Sequence, residues 1–176
     1  MEFIDLVKLD FHRYGKNKNL FLHHFRFLIW LRLGKSTNNR ILRSLCKIRL
    51  KLFSERYGLE IPLETSIGPG FYIGHPFNIT INPHSTIGKN VNIHKGVTIG
   101  QENRGNRKGA PIIGDEVWIG VNSTIVGKIQ IGNNVLVAPN SYVNRDIPDN
   151  SIVFGNPCVV KSCIDATSGY INNKIR

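Results

Sequence analysis

Two hydrophobic rhythms divide this chain. In NNRILRSLCKIRLKLFSERYG (38–58), Ile41, Leu45, Ile48 and Leu52 recur at helical spacing, while Arg43, Lys47 and Lys51 mark another face. Residues 2–57 as a whole read as two or three helices. From about Leu59 the rhythm changes to one aliphatic residue in every six. One run is Ile61, Ile67, Ile73, Ile79; a second is Ile81, Ile87, Ile93, Ile99; a third is Ile113, Ile119, Ile125, Ile131, Val137, Val143. A period of six belongs neither to an α-helix nor to an ordinary strand. It suits short extended segments joined by corners, three sides to a coil, with the aliphatic residues stacked inside a triangular prism. Glycine and asparagine at the corners supply the positive φ that tight turning needs.

Two breaks interrupt the repeat. The register slips by two residues between Ile79 and Ile81, and GQENRGNRKGAPI reads as a polar loop extruded over residues 100–112. Such loops on a rigid scaffold are where ligand contacts gather. The expected organisation is a basic helical segment (1–58), a β-helix catalytic domain (59–161) and a C-terminal tail (162–176). The tail TSGYINNKIR reads as poorly ordered.

Composition adds three constraints. The net charge of +11 resides mainly in residues 1–58, with 13 Lys/Arg against 4 Asp/Glu. Nucleic-acid binding has no motif beyond that charge. Cys46, Cys158 and Cys163 are an odd number without metal-ligand spacing, which implies reduced thiols and a cytoplasmic setting. The opening MEFIDLVKLDFHRYGK lacks the features of a signal peptide, and the apolar run LFLHHFRFLIWLRL (20–33) is too short to span a bilayer. Aromatic and aliphatic residues interleaved with arginine there suit either a helix lying on an anionic membrane surface or one packed on the prism with a wet basic face.

The hexad pattern over residues 60–161 resembles the left-handed β-helix, hexapeptide-repeat acyltransferases. Within them, IGHPFNITI, IHKGVTIGQ and the stretch from IGDEVWIG to FGNP resemble serine acetyltransferase and its relatives in capsule and O-antigen biosynthesis. The resemblance implies that His75 is the catalytic histidine. Fifteen residues upstream, at the position of its acidic partner, stands Glu60. Asn78 replaces a usual glycine and tolerates the same positive φ. Three positions depart from the serine enzymes: Gly74 stands where an acidic residue holds the serine amine, and Gly109 and Ala110 stand where an Arg-His pair precedes the proline. These departures lead to the expectation of a carbohydrate hydroxyl as acceptor. The alternatives are a serine O-acetyltransferase and a non-catalytic β-helix scaffold.

Histidine suits the chemistry because its pKa near 6.5 lets it take a proton from an alcohol as that alcohol attacks a thioester. Glu60 would fix the tautomer and stabilise the imidazolium. The resemblance implies acetyl-CoA in a groove between subunits of a homotrimer, against Gly100, Gly120, Val121, Ala138, Pro139, Arg145 and Lys161. Arg104, Arg107 and Trp118 are candidate acceptor contacts, against the alternatives of a solvated loop and a subunit contact. No metal is expected, because His75, His84 and His94 are nine and ten residues apart, which does not fit a three-histidine zinc site. His84 and His94 read as surface or corner residues.

Overall fold

The computed structural model describes residues 2–16, 19 and 21–176. Met1, Asn17, Lys18 and Leu20, the last being the first residue of the apolar run at 20–33, lie outside the described residues. Three helices, α1 (Phe3–His12), α2 (His23–Ser36) and α3 (Arg40–Tyr57), precede a parallel β-solenoid. The first face stacks Leu59–Glu60, Ile79–Ile81, Thr98–Gly100, Thr124–Val126 and Tyr142–Val143. The second stacks Ser66–Ile67, Thr86–Ile87, Ile112–Ile113 and Gln130–Ile131. The third stacks Tyr72–Gly74, Asn92–His94, Trp118–Ile119, Val135–Val137 and Ser151–Phe154, and closes with the antiparallel strand Val159–Ser162.

The three hexad runs wind around successive coils, the third run going around twice, and their aliphatic residues form columns. Ile73, Ile93, Ile119, Val137 and Val153 are in register on the third face, and Ile67, Ile87, Ile113 and Ile131 on the second. All are buried. Each such side chain contributes about 1.5–3 kcal/mol by leaving water, so the prism interior supplies much of the driving force for folding.

Helix and prism join at one corner. Asn39 caps the start of α3 by accepting from the N–H groups of Ile41 and Leu42. Gly58 ends it in the left-handed region at φ 66°. That glycine also opens the corner ladder, because Asn78, Gly96, Asn122 and Asn140 follow it there, all at positive φ. The N–H of Asn78 donates to Tyr57 O, that of Gly96 to Phe77 O, that of Asn122 to Lys95 O and that of Asn140 to Val121 O. The α-helix therefore hands its last turn directly to the first coil.

The helices are fastened to the prism by a buried ion pair. Asp10 and Arg32 meet at 2.7 Å with side chains 0% and 1% exposed. Asp10 also accepts from the N–H of Phe71, and Arg32 donates to the carbonyls of Ile67 and Gly68. Burial pushes the Asp10 carboxyl above the usual range, opposed by the charge and hydrogen bonds of Arg32 and by the Phe71 N–H. The Ile41, Leu45, Ile48 and Leu52 stripe of α3 faces outward and is exposed, while Cys46 and Leu50 take the inner face. Among the described residues, no helix is long and apolar enough to cross a membrane.

In the loop after Gly100, Glu102 and Gly109 exchange both backbone hydrogen bonds around a 3-10 turn at Gly105–Arg107, and Lys128 N–H donates to Arg107 O. One region, the tail, differs from the sequence expectation. The tail is not loose. It runs back along the prism with Thr167, Ile171 and Ile175 buried. Asn134 holds Thr167, and Asn90 exchanges two hydrogen bonds with Ile175. The anchors are isolated residues, one polar and two apolar, and two of them, Thr167 and Ile175, bond to corner asparagines.

Candidate functional site

His75 owes its position to the register slip. Pairs of the first and second coils lie twenty residues apart up to Gly74 and His94, but eighteen apart from Thr80 and Thr98 onward. Phe77 and Lys95 occupy equivalent places in the corner ladder, since each accepts from the next coil. The two extra residues are thus His75 and Pro76. They form a bulge, with His75 at φ 52° and its side chain exposed. Strain of this kind at a non-glycine residue clusters at functional sites.

Glu60 stands on the first face, one coil away, paired with Thr80 and accepting from Thr80 Oγ1 at 3.5 Å. It borders a cleft of about 300 Å³ between the first coil and α3. His75 and Glu60 flank the same corner from adjacent faces. No ion pair within 4 Å or hydrogen bond joins them.

On the other side of His75 stands the half-buried His94. The His94 ring lies 6.1 Å from that of His75 and 4.8 Å from that of Trp118, measured between centroids, and Tyr170 from the tail closes on Trp118 at 5.0 Å. Burial, with the charge of His75 second, holds His94 down to about 4, so it is neutral at physiological pH. Its buried Nε2 has no hydrogen-bond partner. A Cβ at Gly74 would come within 2.5 Å of the His94 ring, so the ring occupies the space a side chain at position 74 would need.

The expected cofactor positions do not gather in a single pocket. Gly120, Val121, Ala138 and Pro139 stack along the corner below His75, where Asn140 N–H donates to Val121 O and Ser141 Oγ to Ala138 O. Gly100 ends a strand of the first face beside Val126. Arg145 is exposed on the turn after Val143, and Lys161 sits in the edge strand opposite Ile152. Arg104 and Arg107 are exposed on the folded loop, away from Trp118, which points outward but is half-covered by Tyr170. No group of three or more metal-ligating side chains occurs among the described residues.

Residues 110–145 match the repeat family described as bacterial transferase hexapeptide (six repeats). The chain is therefore a hexapeptide-repeat β-solenoid protein. Serine acetyltransferase 4 of Arabidopsis thaliana is 36% identical over 112 residues, covering 64% of this chain and 32% of the relative. The serine acetyltransferase of Staphylococcus aureus (strain Mu50) is 38% identical over 100 residues, covering 57% and 47%. The chain thus spans 32% and 47% of the length of these two relatives. Among solved structures, soybean serine acetyltransferase superposes with a TM-score of 0.78 at 25% identity, over 91% of this chain and 69% of that one. Neisseria gonorrhoeae serine acetyltransferase in complex with serine gives 0.77 at 26%, over the same shares.

These likenesses overturn the expectation of a carbohydrate acceptor and favour the serine alternative; they lend no support to kinship with capsule and O-antigen enzymes. The expectation rested on groups missing at Gly74, Gly109 and Ala110. Missing groups say nothing about what other elements bring to the site, and at Gly74 the structure brings the His94 ring.

Three residues beside the site escaped the sequence reading. Arg13, Tyr14 and Tyr170 come from α1 and the tail, far from the repeat in sequence. Tyr14 Oη accepts from Ile73 N–H at 2.9 Å, which locks the end of α1 onto the strand leading to His75. Alternating charge and aromatic character in DFHRY was the only available signal, and it could not distinguish a wet helix from a docked one.

Proposed function

We propose that this chain transfers an acetyl group from acetyl-CoA to the hydroxyl of serine. The observation that carries this is His75, exposed on a two-residue bulge of a hexapeptide solenoid that superposes on serine acetyltransferases. His75 takes the hydroxyl proton as the oxygen attacks the thioester carbonyl. The tetrahedral intermediate collapses with loss of the CoA thiolate, to which the imidazolium returns the proton. Glu60 acts as a positioning residue, closing on His75 when substrate is bound, since catalytic hydrogen bonds often tighten only in the complex. The corner from Gly120 to Pro139 supports a cofactor site, because small residues let the pantetheine arm approach the backbone. Arg145 and Lys161, on different faces of one prism, serve the phosphates only if neighbouring subunits of a trimer share the site. The exposed apolar stripe of α3, flanked by Arg40, Lys47, Arg49, Lys51 and Arg56, supports contact with an anionic bilayer surface. Sedimentation with anionic but not with neutral vesicles tests that part.

The central test is CoA release in a thiol-trapping assay with acetyl-CoA and serine. His75→Ala should lose about 10²–10⁴-fold in kcat, and Glu60→Gln less. Absence of CoA release with serine, or full activity in His75→Ala, would sink the reading.

A further inference from the structure

On the third face, a cavity of about 230 Å³ opens beside His94. Its walls come from three separate parts of the chain: Arg13 at the end of α1, Tyr72, Asn92, His94 and Trp118 on the prism, and Tyr170 on the tail. Arg13 is only 3% exposed. Its Nε donates to Asn172 O, Nη1 to Gly70 O and Nη2 to Asn92 Oδ1. A guanidinium has five N–H groups, so two remain. All three partners are neutral. The acids whose charge reaches it, Asp10 and Glu116, are bonded to Arg32 and Lys174. A buried cation without a paired anion is costly, and here it lines a cavity with aromatic walls.

Given the serine reading of His75, we infer that this cavity is an acceptor subsite for a seryl compound extended beyond free serine, with its carboxylate on Arg13 and its body against Tyr72, Trp118 and Tyr170. The length requirement comes from the register. Asn92, which bonds Arg13, and His94 are two strand positions apart, roughly 6.6 Å, and the His75 ring lies a further 6.1 Å from that of His94. An acceptor joining His75 to Arg13 therefore spans on the order of 10 Å. In free serine the hydroxyl and carboxylate are two carbon–carbon bonds apart, about 4 Å across. An added residue lengthens the chain by about 3.8 Å per Cα step and brings a side chain to the aromatic walls. His94, whose Nε2 has no hydrogen-bond partner, also lines the cavity. The tail completes the pocket, because Tyr170 and Asn172 are both part of it. Docking of the tail and formation of the subsite are one event.

The test compares free serine, seryl-phenylalanine and seryl-phenylalaninamide. Binding is read from Trp118 fluorescence in a Trp30→Phe background, and turnover from CoA release. The dipeptide should quench Trp118 and have kcat/KM at least tenfold above that of serine. The amide, lacking the anion, should lose at least tenfold, as expected for a charge-assisted hydrogen bond. Tyr170→Ala should shrink the preference of dipeptide over serine. In the wild type, equal turnover of acid and amide, or turnover of serine with no advantage for the dipeptide, would overturn the inference without any variant having to fold. Dipeptide quenching that depends on the carboxylate, with no acetyl transfer to any acceptor, would instead remove the transferase reading and leave the anion pocket standing.

Discussion

Removing Asp10 should cost this protein more than any single prism residue outside the core. In Asp10→Ala the Arg32 guanidinium keeps its hydrogen bonds to Ile67 O and Gly68 O but loses its counter-ion, and the Phe71 N–H loses its acceptor. Breaking a fully buried pair by deleting one partner costs about 3–5 kcal/mol, and the unsatisfied Phe71 donor belongs within that range. For a chain of this size each kcal/mol lowers Tm by about 2–4 °C, so the expected fall is roughly 6–20 °C. Arg32→Met should lose a similar amount, because two buried carbonyls go unpaired while Asp10 can escape its own penalty by protonating. The double variant Asp10→Leu/Arg32→Met removes both charges. It should therefore be more stable than the sum of the singles implies, by about 2 kcal/mol or more. Urea unfolding at pH 7, with the slope checked for constancy, supplies all four corners of the cycle. Single losses below about 1 kcal/mol, or strict additivity, would show that the pair does not fasten helices to prism.

Two further outcomes follow from the site. Deleting His75 and Pro76 together converts the twenty-residue first coil to the eighteen-residue spacing of the next. The variant should fold, with its circular dichroism spectrum and urea midpoint near those of the wild type, and have no transferase activity; unfolding would mean the bulge is part of the scaffold. His94 and His24 are both held down to about 4 by burial, against about 6.5 in the unfolded chain. A depressed base is neutral when folded, so its contribution is complete above pH 6.5 and is lost as the pH falls toward 4 and the unfolded chain takes up the proton. The full gap corresponds to about 3 kcal/mol per ring, reduced by solvent screening of these half-buried groups to about 1–2 kcal/mol. Thermal melts at pH 7 and pH 4.5 should show this drop, and His94→Leu should reduce it; an equal drop in the variant would refute the assignment.

The repeat made the prism legible because each hexad position has one environment. An aliphatic residue every sixth place can only be an interior column if the chain turns three times per coil, and asparagine or glycine at the corners is dictated by positive φ. The helices before Leu59 were legible as helices by the same kind of local argument. His75 was singled out through its motif. The slip between Ile79 and Ile81 was visible in the sequence, but register alone revealed that the two extra residues are His75 and Pro76. Acceptor chemistry was misjudged because it was read from groups missing at Gly74, Gly109 and Ala110, and a missing group does not show what other elements bring.

What remained hidden depends on residues far apart in the chain. Nothing in LDFHRY distinguishes Asp10, bound to Arg32, from an ordinary surface acid, and nothing in SGYINN shows that Tyr170 lies on Trp118. Local rhythm records which face of an element is buried, since burial repeats with the element's own period. It does not record which element comes to cover that face. That choice is made by single, non-periodic contacts: a buried ion pair, an asparagine reaching the tail backbone, and a histidine ring filling the space left by a glycine. The sequence by itself determined the solenoid and the histidine on its corner. The tertiary structure alone decided what stands beside that histidine.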